Sequence, residues 1–259
     1  MKFLISLIGL TIIFPISAIG SKFLDQGNDF SIFQPGDKVP AKFYGDISIG
    51  GSLNTGNSNS YNLNTKLDLN YNKNKWVNTG TFQSQIGGDR TTGLNNRNYN
   101  LQGQSKYFFK PPVSFWYGFT SYTLDTFNTY RTVSLNSLGY GQRLLNRKDM
   151  TLDLEGGPSY TRRRAQGDTG LIQTEMGILG SVTYNWIISD NIKFTQFLLA
   201  TRDKLNTYTQ STTSLTSKII KNLALSISLN YEHNTNIPLG STNTEKTDTQ
   251  TLLSVVYGF

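Results

Sequence analysis

The stretch Tyr61-Asn62-Leu63-Asn64-Thr65-Lys66-Leu67-Asp68-Leu69-Asn70-Tyr71 decides how the rest of the chain is read. Its odd positions are Tyr, Leu, Thr, Leu, Leu and Tyr, and its even positions are Asn, Asn, Lys, Asp and Asn. A period of two sustained over this length is a β-strand with one apolar and one wet face. Strands of soluble domains run about five or six residues, whereas a strand crossing an outer membrane needs roughly ten, tilted by about 40°. At about 3.4 Å per residue, less the tilt, Tyr61 and Tyr71 stand roughly 25 Å apart along the membrane normal, the height of the apolar band between two aromatic girdles.

Composition agrees with that reading. Charged residues make up only 16% of the chain and aromatics 12%, and outside the first twenty residues no apolar run is long enough for a membrane-spanning helix. Residues 1–20 open with Met1-Lys2, continue through an apolar run and end in Ser17-Ala18-Ile19-Gly20, the pattern of a signal peptide with small residues before the cut. The chain has no cysteine, which excludes a lipid-modified cysteine, a disulfide scaffold and thiol chemistry together. Residues 21–40 show no sustained period and read as a periplasmic lead segment, leaving 41–259 for the strands.

Outward from residues 61–71 the period of two recurs. Phe43, Ile47, Ile49 and Leu53 share a face before it; Trp76, Phe82 and Ile86, then Tyr99, Leu101, Tyr107 and Phe109, share faces after it. Val113, Phe115, Tyr117 and Phe119 follow with the same spacing and are expected on the apolar face. Around residues 131–143 the alternation is less clean, because Leu138 and Tyr140 oppose Val133 and Leu135 with Gly139 and Gly141 between them, which predicts a bulge or glycine kink. Leu152, Leu154 and Tyr160, and later Ile172 through Trp186, restore it. Gln196 falls among the apolar residues of the next strand and suggests a bulge or local register shift there, residues 207–217 are almost all Ser and Thr, and Leu223 to Tyr231 and Thr249 to Phe259 close the series. The count is about twelve strands. Short connections (72–75, 110–112, 145–148, 189–190, 218–221) alternate with connections that include three long polar ones (88–96, 161–170, 232–245), as in barrels whose short turns face the periplasm.

Strands that turn an apolar face to lipid must pair all their backbone groups, so the sheet has to close on itself. The expected fold is all-β: a closed antiparallel up-and-down transmembrane β-barrel with both termini periplasmic. The wet face then lines a lumen, where Lys66, Asp68, Lys106, Asp153, Glu155, Glu175 and Asp248 are the candidate charges, either filling the interior or lining a path for small solutes. Tyr61, Tyr71, Trp76, Trp186, Tyr231, Tyr257 and Phe259 are the candidate girdle residues. Arg162-Arg163-Arg164, at the start of a long connection, are candidates for contact with lipopolysaccharide phosphates, because guanidinium meets phosphate in two-point geometry.

Gly56-Asn57-Ser58, Asp153 to Tyr160, Asp190-Asn191 followed by Phe194-Thr195-Gln196, and the end Val256-Tyr257-Gly258-Phe259 resemble, in this order, the YdiY-like family of outer-membrane proteins, a domain-of-unknown-function family named for induction by salt. The resemblance implies the outer membrane of a Gram-negative bacterium and a C-terminal Phe259 of the kind that the barrel-insertion machinery reads. It brings no catalytic residue and no cofactor. A link to salt or osmotic stress enters only through it.

Enzymatic readings find little support. His233 is the only histidine, with no serine partner assignable from the sequence, and a metal centre needs several converging ligands. Nucleic acid is a poor partner despite the formal charge of +7, since the basic residues are dispersed and the chain is exported. The rival of a different class is a secreted, soluble, adhesin-like β-protein, which predicts a fixed repeat period that this sequence lacks.

Overall fold

A computed structural model describes residues 32–35, 42–54, 60–89, 93–127, 130–166, 170–236 and 246–259. The expected signal peptide over 1–20 and most of the lead segment over 21–40 lie outside the described residues. The chain forms twelve strands: β1 (Lys42–Asn54), β2 (Ser60–Lys73), β3 (Trp76–Asp89), β4 (Gly93–Lys110), β5 (Ser114–Asp125), β6 (Tyr130–Asn146), β7 (Met150–Ala165), β8 (Ile172–Ser189), β9 (Ile192–Asp203), β10 (Thr207–Ile220), β11 (Leu223–Asn234) and β12 (Thr247–Gly258). Each pairs antiparallel with its sequence neighbours, and β1 pairs with β12, so the sheet is a closed barrel. The seam runs from Asp46 opposite Gly258 to Gly50 opposite Ser254. Beyond it, Gly45 N donates to Phe259 O at 2.9 Å and Phe259 N to Gly45 O at 2.8 Å.

The strands overrun the expected boundaries at the loop end. β4 spans 18 residues, and the β3–β4 and β7–β8 connections are correspondingly shorter than the sequence suggests. At the other end, turns of two or three residues join the hairpins.

Away from the register shifts near strand ends, residues alternate between an outer and an inner face. The outer face is greasy and exposed, with Met176, Leu138 and Ile178 at 78%, 68% and 65%. The many exposed apolar side chains of the outer face are far more than water tolerates on a monomer, so they call for hydrocarbon. Aromatic rings border it. Near the short turns Trp76 meets Tyr107 (ring centroids 4.9 Å apart), Phe109 meets Trp116 (5.6 Å) and Trp116 meets Tyr140 (5.8 Å). Tyr61, Tyr122, Tyr160 and Tyr231 stand exposed towards the loop end.

Three expectations are corrected. First, Phe115 and Tyr117 point inward and are 0% and 3% exposed, while Trp116, at 57%, takes the outer face. Both faces of β5 are apolar, so alternation alone could not assign them. The pairing does: Tyr117 lies opposite Lys106 and Phe115 opposite Gly141, both inward positions. Second, the irregularity expected around residues 131–143 falls at the ends of that stretch and not at Gly139 and Gly141. The β6 register is irregular only between Tyr130 and Thr132 and between Arg143 and Leu145. The glycines instead make room for rings: a Cβ on Gly141 would run into the Phe115 ring, and one on Gly139 would stand 2.7 Å from Tyr117 Cε1. Third, Gln196 sits in unbroken register opposite Thr213 and Tyr184. Its amide oxygen accepts from Thr213 Oγ1 at 2.6 Å and its Nε2 donates to Ser211 Oγ at 3.0 Å. Partners on the neighbouring strand, not a register shift, make the polar residue tolerable on that face.

These contacts make Gly141→Ala an overpacking change, destabilising the folded barrel by about 1–3 kcal/mol. Denaturant titration in detergent micelles, read by loss of the heat-sensitive fast-migrating band, measures it. Adding Phe115→Ala to Gly141→Ala should cost less than the two single changes summed, because each removes the other's clash.

Candidate functional site

The interior gathers most of the polar and charged side chains of the described strands, and its two sides differ. On the side from β4 to β9, side chains pack to near-complete burial. Phe108, Phe115, Tyr117, Leu179 and Leu199 form one apolar cluster, with Phe119, Leu135, Phe197 and Tyr208 against it. The Phe108 and Phe115 rings lie 4.7 Å apart. Two cations cover them: Lys106 Nζ is 4.9 Å from the Phe115 ring centre and Arg143 Cζ is 5.1 Å from that of Phe108, distances at which ring and charge attract.

Those cations are held by acids of β7. Arg143 grips Asp153 with two bonds, Nε to Oδ1 at 2.7 Å and Nη2 to Oδ2 at 3.1 Å. Lys106 Nζ reaches Asp153 Oδ2 at 3.0 Å and Glu155 Oε1 at 2.6 Å. Gln104 and Ser181 donate to Glu155 Oε2 at 2.8 and 3.0 Å. The Lys106 contacts span from β4 to β7, passing over β5 and β6, so the network is a strut across the lumen and not a ladder along the wall. All four charged side chains are under 10% exposed.

The opposite side, β10 to β12 and β1 to β4, is lined by amides and hydroxyls: Thr81, Gln83, Asn100 and Gln102 on one flank, Thr212, Ser214, Ser228 and Gln250 on the other. All are half-buried, hence open to the interior space. Hydrogen bonds between Ser214 and Ser228 (2.8 Å) and between Asn100 Nδ2 and Thr123 Oγ1 (2.8 Å) order parts of it. Asn64 is 5% exposed, and its two amide atoms have no hydrogen-bond partner among the described residues. Lys66 and Asp68 pair at 2.7 Å here, with the Lys66 side chain 45% exposed.

Charge is also sorted by depth. Towards the loop end the inner face carries Asp125, Glu175, Asp203, Glu232 and Asp248 against one cation, Arg163, whose Nη2 bonds Asp203 Oδ2 at 2.7 Å. Towards the short turns, Lys42, Lys106, Arg143, Lys193 and Lys218, with Lys66 nearer the middle, outnumber Asp46, Asp68, Asp153 and Glu155. Arg143, Asp125, Asp203 and Glu232 were missed in the sequence. Their parity with neighbouring inward residues was the available signal, but it needs the face of each strand to be known first.

The arginine run is split. Arg162, Arg163 and Arg164 belong to β7 and not to a loop. Arg163 is 6% exposed and turned inward, which removes it from any outer contact; Arg162 and Arg164 stand exposed on the outer face. Of the girdle candidates, Tyr71 and Phe259 are half-buried at the turn end, with the Phe259 ring against Gly45, and Trp186 and Tyr257 are exposed there. His233, on β11, has its Nδ1 2.8 Å from Thr247 Oγ1. Among the described residues no group of three or more His, Cys, Asp or Glu is arranged to hold a metal ion. From the lead segment, Gln34 Nε2 donates to Arg147 O at the β6–β7 turn, 3.3 Å away.

A closed twelve-stranded barrel with a greasy outer wall and a polar, ion-paired interior has the fold of outer-membrane β-barrel proteins. An outer membrane channel from Pseudomonas putida F1 superposes with a TM-score of 0.50 at 12% identity, over 90% of this chain and 99% of that one. The NanC porin gives a TM-score of 0.49 at 12% identity, over 83% and 97%. Residues 47–259 match the family described as a protein of unknown function, DUF481, and the chain belongs to it. The uncharacterized protein YdiY of Escherichia coli (strain K12) is 27% identical over 241 residues, covering 90% of this chain and 91% of YdiY.

The burial of the strut sets its sensitivity. Asp153→Ala leaves Arg143 buried without its counter-charge and should cost about 3–5 kcal/mol. Asp68→Ala, whose partner Lys66 is half in solvent, should cost no more than about 1 kcal/mol. Denaturant midpoints of the two variants in one detergent give the comparison.

Proposed function

We propose that this protein resides in the outer membrane of a Gram-negative bacterium, with its short turns and both chain termini on the periplasmic side. Its lumen acts there as a narrow conduit for small polar solutes. The supporting observation is the contrast between the two inner walls: one packed by the Phe108 cluster and the Lys106 strut, the other an accessible lining mostly of neutral amides and hydroxyls, with Lys66 and Asp68 paired within it. Such a lining offers donors and acceptors to a polar solute without binding it as tightly as a charge does. The acid excess at the loop end adds a sign preference, because like charges repel co-ions at a constricted mouth while counter-ions concentrate there. Phe259, bonded into the closing seam, is the terminus we assign to recognition by the barrel-insertion machinery.

The second reading is an envelope-structural barrel without conduction, favoured by the depth to which the strut and the aromatic cluster fill one side. A role under salt or osmotic stress rests on the resemblance of sequence alone.

Recording from purified protein in planar bilayers separates the two readings. The conduit predicts discrete current steps and, in a salt gradient, a reversal potential showing a severalfold preference for cations, about two- to tenfold. Replacing Asp125 and Glu232 together by Asn and Gln should bring that ratio towards unity while the barrel stays folded. Absence of steps from folded protein would leave the structural reading.

A further inference from the structure

The twelve strands sort charge by face as well as by depth. Every carboxylate on the described strands sits at an inward position. On outward positions, the charged residues towards the loop end are arginines: Arg97 on β4, Arg162 and Arg164 on β7, and Arg202 on β9, all exposed. We infer that these arginines form a belt that binds the phosphate groups of lipopolysaccharide in the outer leaflet. The inference rests on the orientation proposed above, with the loops outside, and does not depend on whether the lumen conducts.

Placement carries the argument. Arg97 lies two residues beyond Tyr99, and Arg162 two residues beyond Tyr160, in the direction of the loops. Outward tyrosines at the end of an apolar band sit at headgroup level. Two further residues add about 7 Å along the strand, which brings a guanidinium into the layer of phosphorylated sugars. The neighbours leave the charge available. Arg162 lies between Ser134 and Thr174, and Arg164 between Thr132 and Ile172, with no carboxylate beside either. Arg97 Nε donates to Thr126 Oγ1 at 3.3 Å, a contact to a neutral group. Arg163, one residue away and facing inward, is by contrast neutralised by Asp203. Guanidinium pairs with phosphate through two parallel bonds, and the absence of outward acids removes competition for it.

The test uses folded, full-length barrel in a neutral detergent, titrated with lipopolysaccharide carrying intact lipid A phosphates and with the same material enzymatically dephosphorylated. The intact form should bind, the dephosphorylated form at least about tenfold more weakly, and Arg162→Gln with Arg164→Gln should lose about as much. Lys148→Gln, in a short turn, should bind as the unaltered chain does. Equal binding of both lipid forms, unchanged binding by the double variant, or displacement by millimolar inorganic phosphate would overturn the belt, the last by revealing a free-anion site. Orientation is read separately. Because the chain has no cysteine, Lys204→Cys in the β9–β10 loop and Lys148→Cys in the β6–β7 turn each supply a unique thiol. An impermeant maleimide on intact cells should label the former only. Labelling of the latter alone would sink the orientation, a failure distinct from loss of phosphate dependence in detergent.

Discussion

A peptide N–H or C=O in hydrocarbon has no partner except another peptide group, and leaving one unpaired costs several kcal/mol. That constraint governs this molecule. It forbids a free edge, so β1 must find β12. The seam is the barrel's shortest ladder, five residue pairs against the thirteen that join β1 to β2. It is lengthened by the two bonds between Gly45 and the terminal Phe259. Phe259 is therefore part of the closure.

Closure in turn makes the two faces inequivalent. With hydrocarbon outside, no acid is found at an outward position of the described strands, and the outward amide of Gln196 is bonded by Ser211 and Thr213. Inside, a twelve-stranded barrel encloses more space than short side chains fill. Larger side chains pack one side of it. Glycines at 139 and 141 lower the floor of β6, Phe115 and Tyr117 lie over them, and Arg143 and Lys106 cap the rings while Asp153 and Glu155 hold the cations. Desolvating four charges is costly unless each is paired and further hydrogen-bonded, and Gln104 and Ser181 contribute bonds of that kind. The same strut narrows the remaining space to the side lined by amides.

Much of the fold was legible. Alternation over lengths beyond those of soluble strands, aromatic residues at strand ends and the rhythm of short and long connections are local features, so they gave the strand count, the closed barrel and the side of the turns. Less of the interior was. Val113 to Phe119 looked like an outer face because its alternate residues are apolar, yet Trp116 and Tyr122 make the other face apolar too. Gly139, Gly141 and Gln196 looked like faults in the ladder because their compensation lies on other strands.

The sequence by itself determined the period and the number of the strands, since these follow from the backbone repeat and from the recurrence of apolar stretches long enough to span a membrane. Only the tertiary structure decided which face of β5 turns inward, that Arg163 belongs to Asp203 while Arg162 and Arg164 do not, and that Lys106 reaches β7. A repeat of two residues tells one side of a ribbon from the other without saying which is inside. That choice is made by the partners that closure brings together, and those partners are far away in the chain.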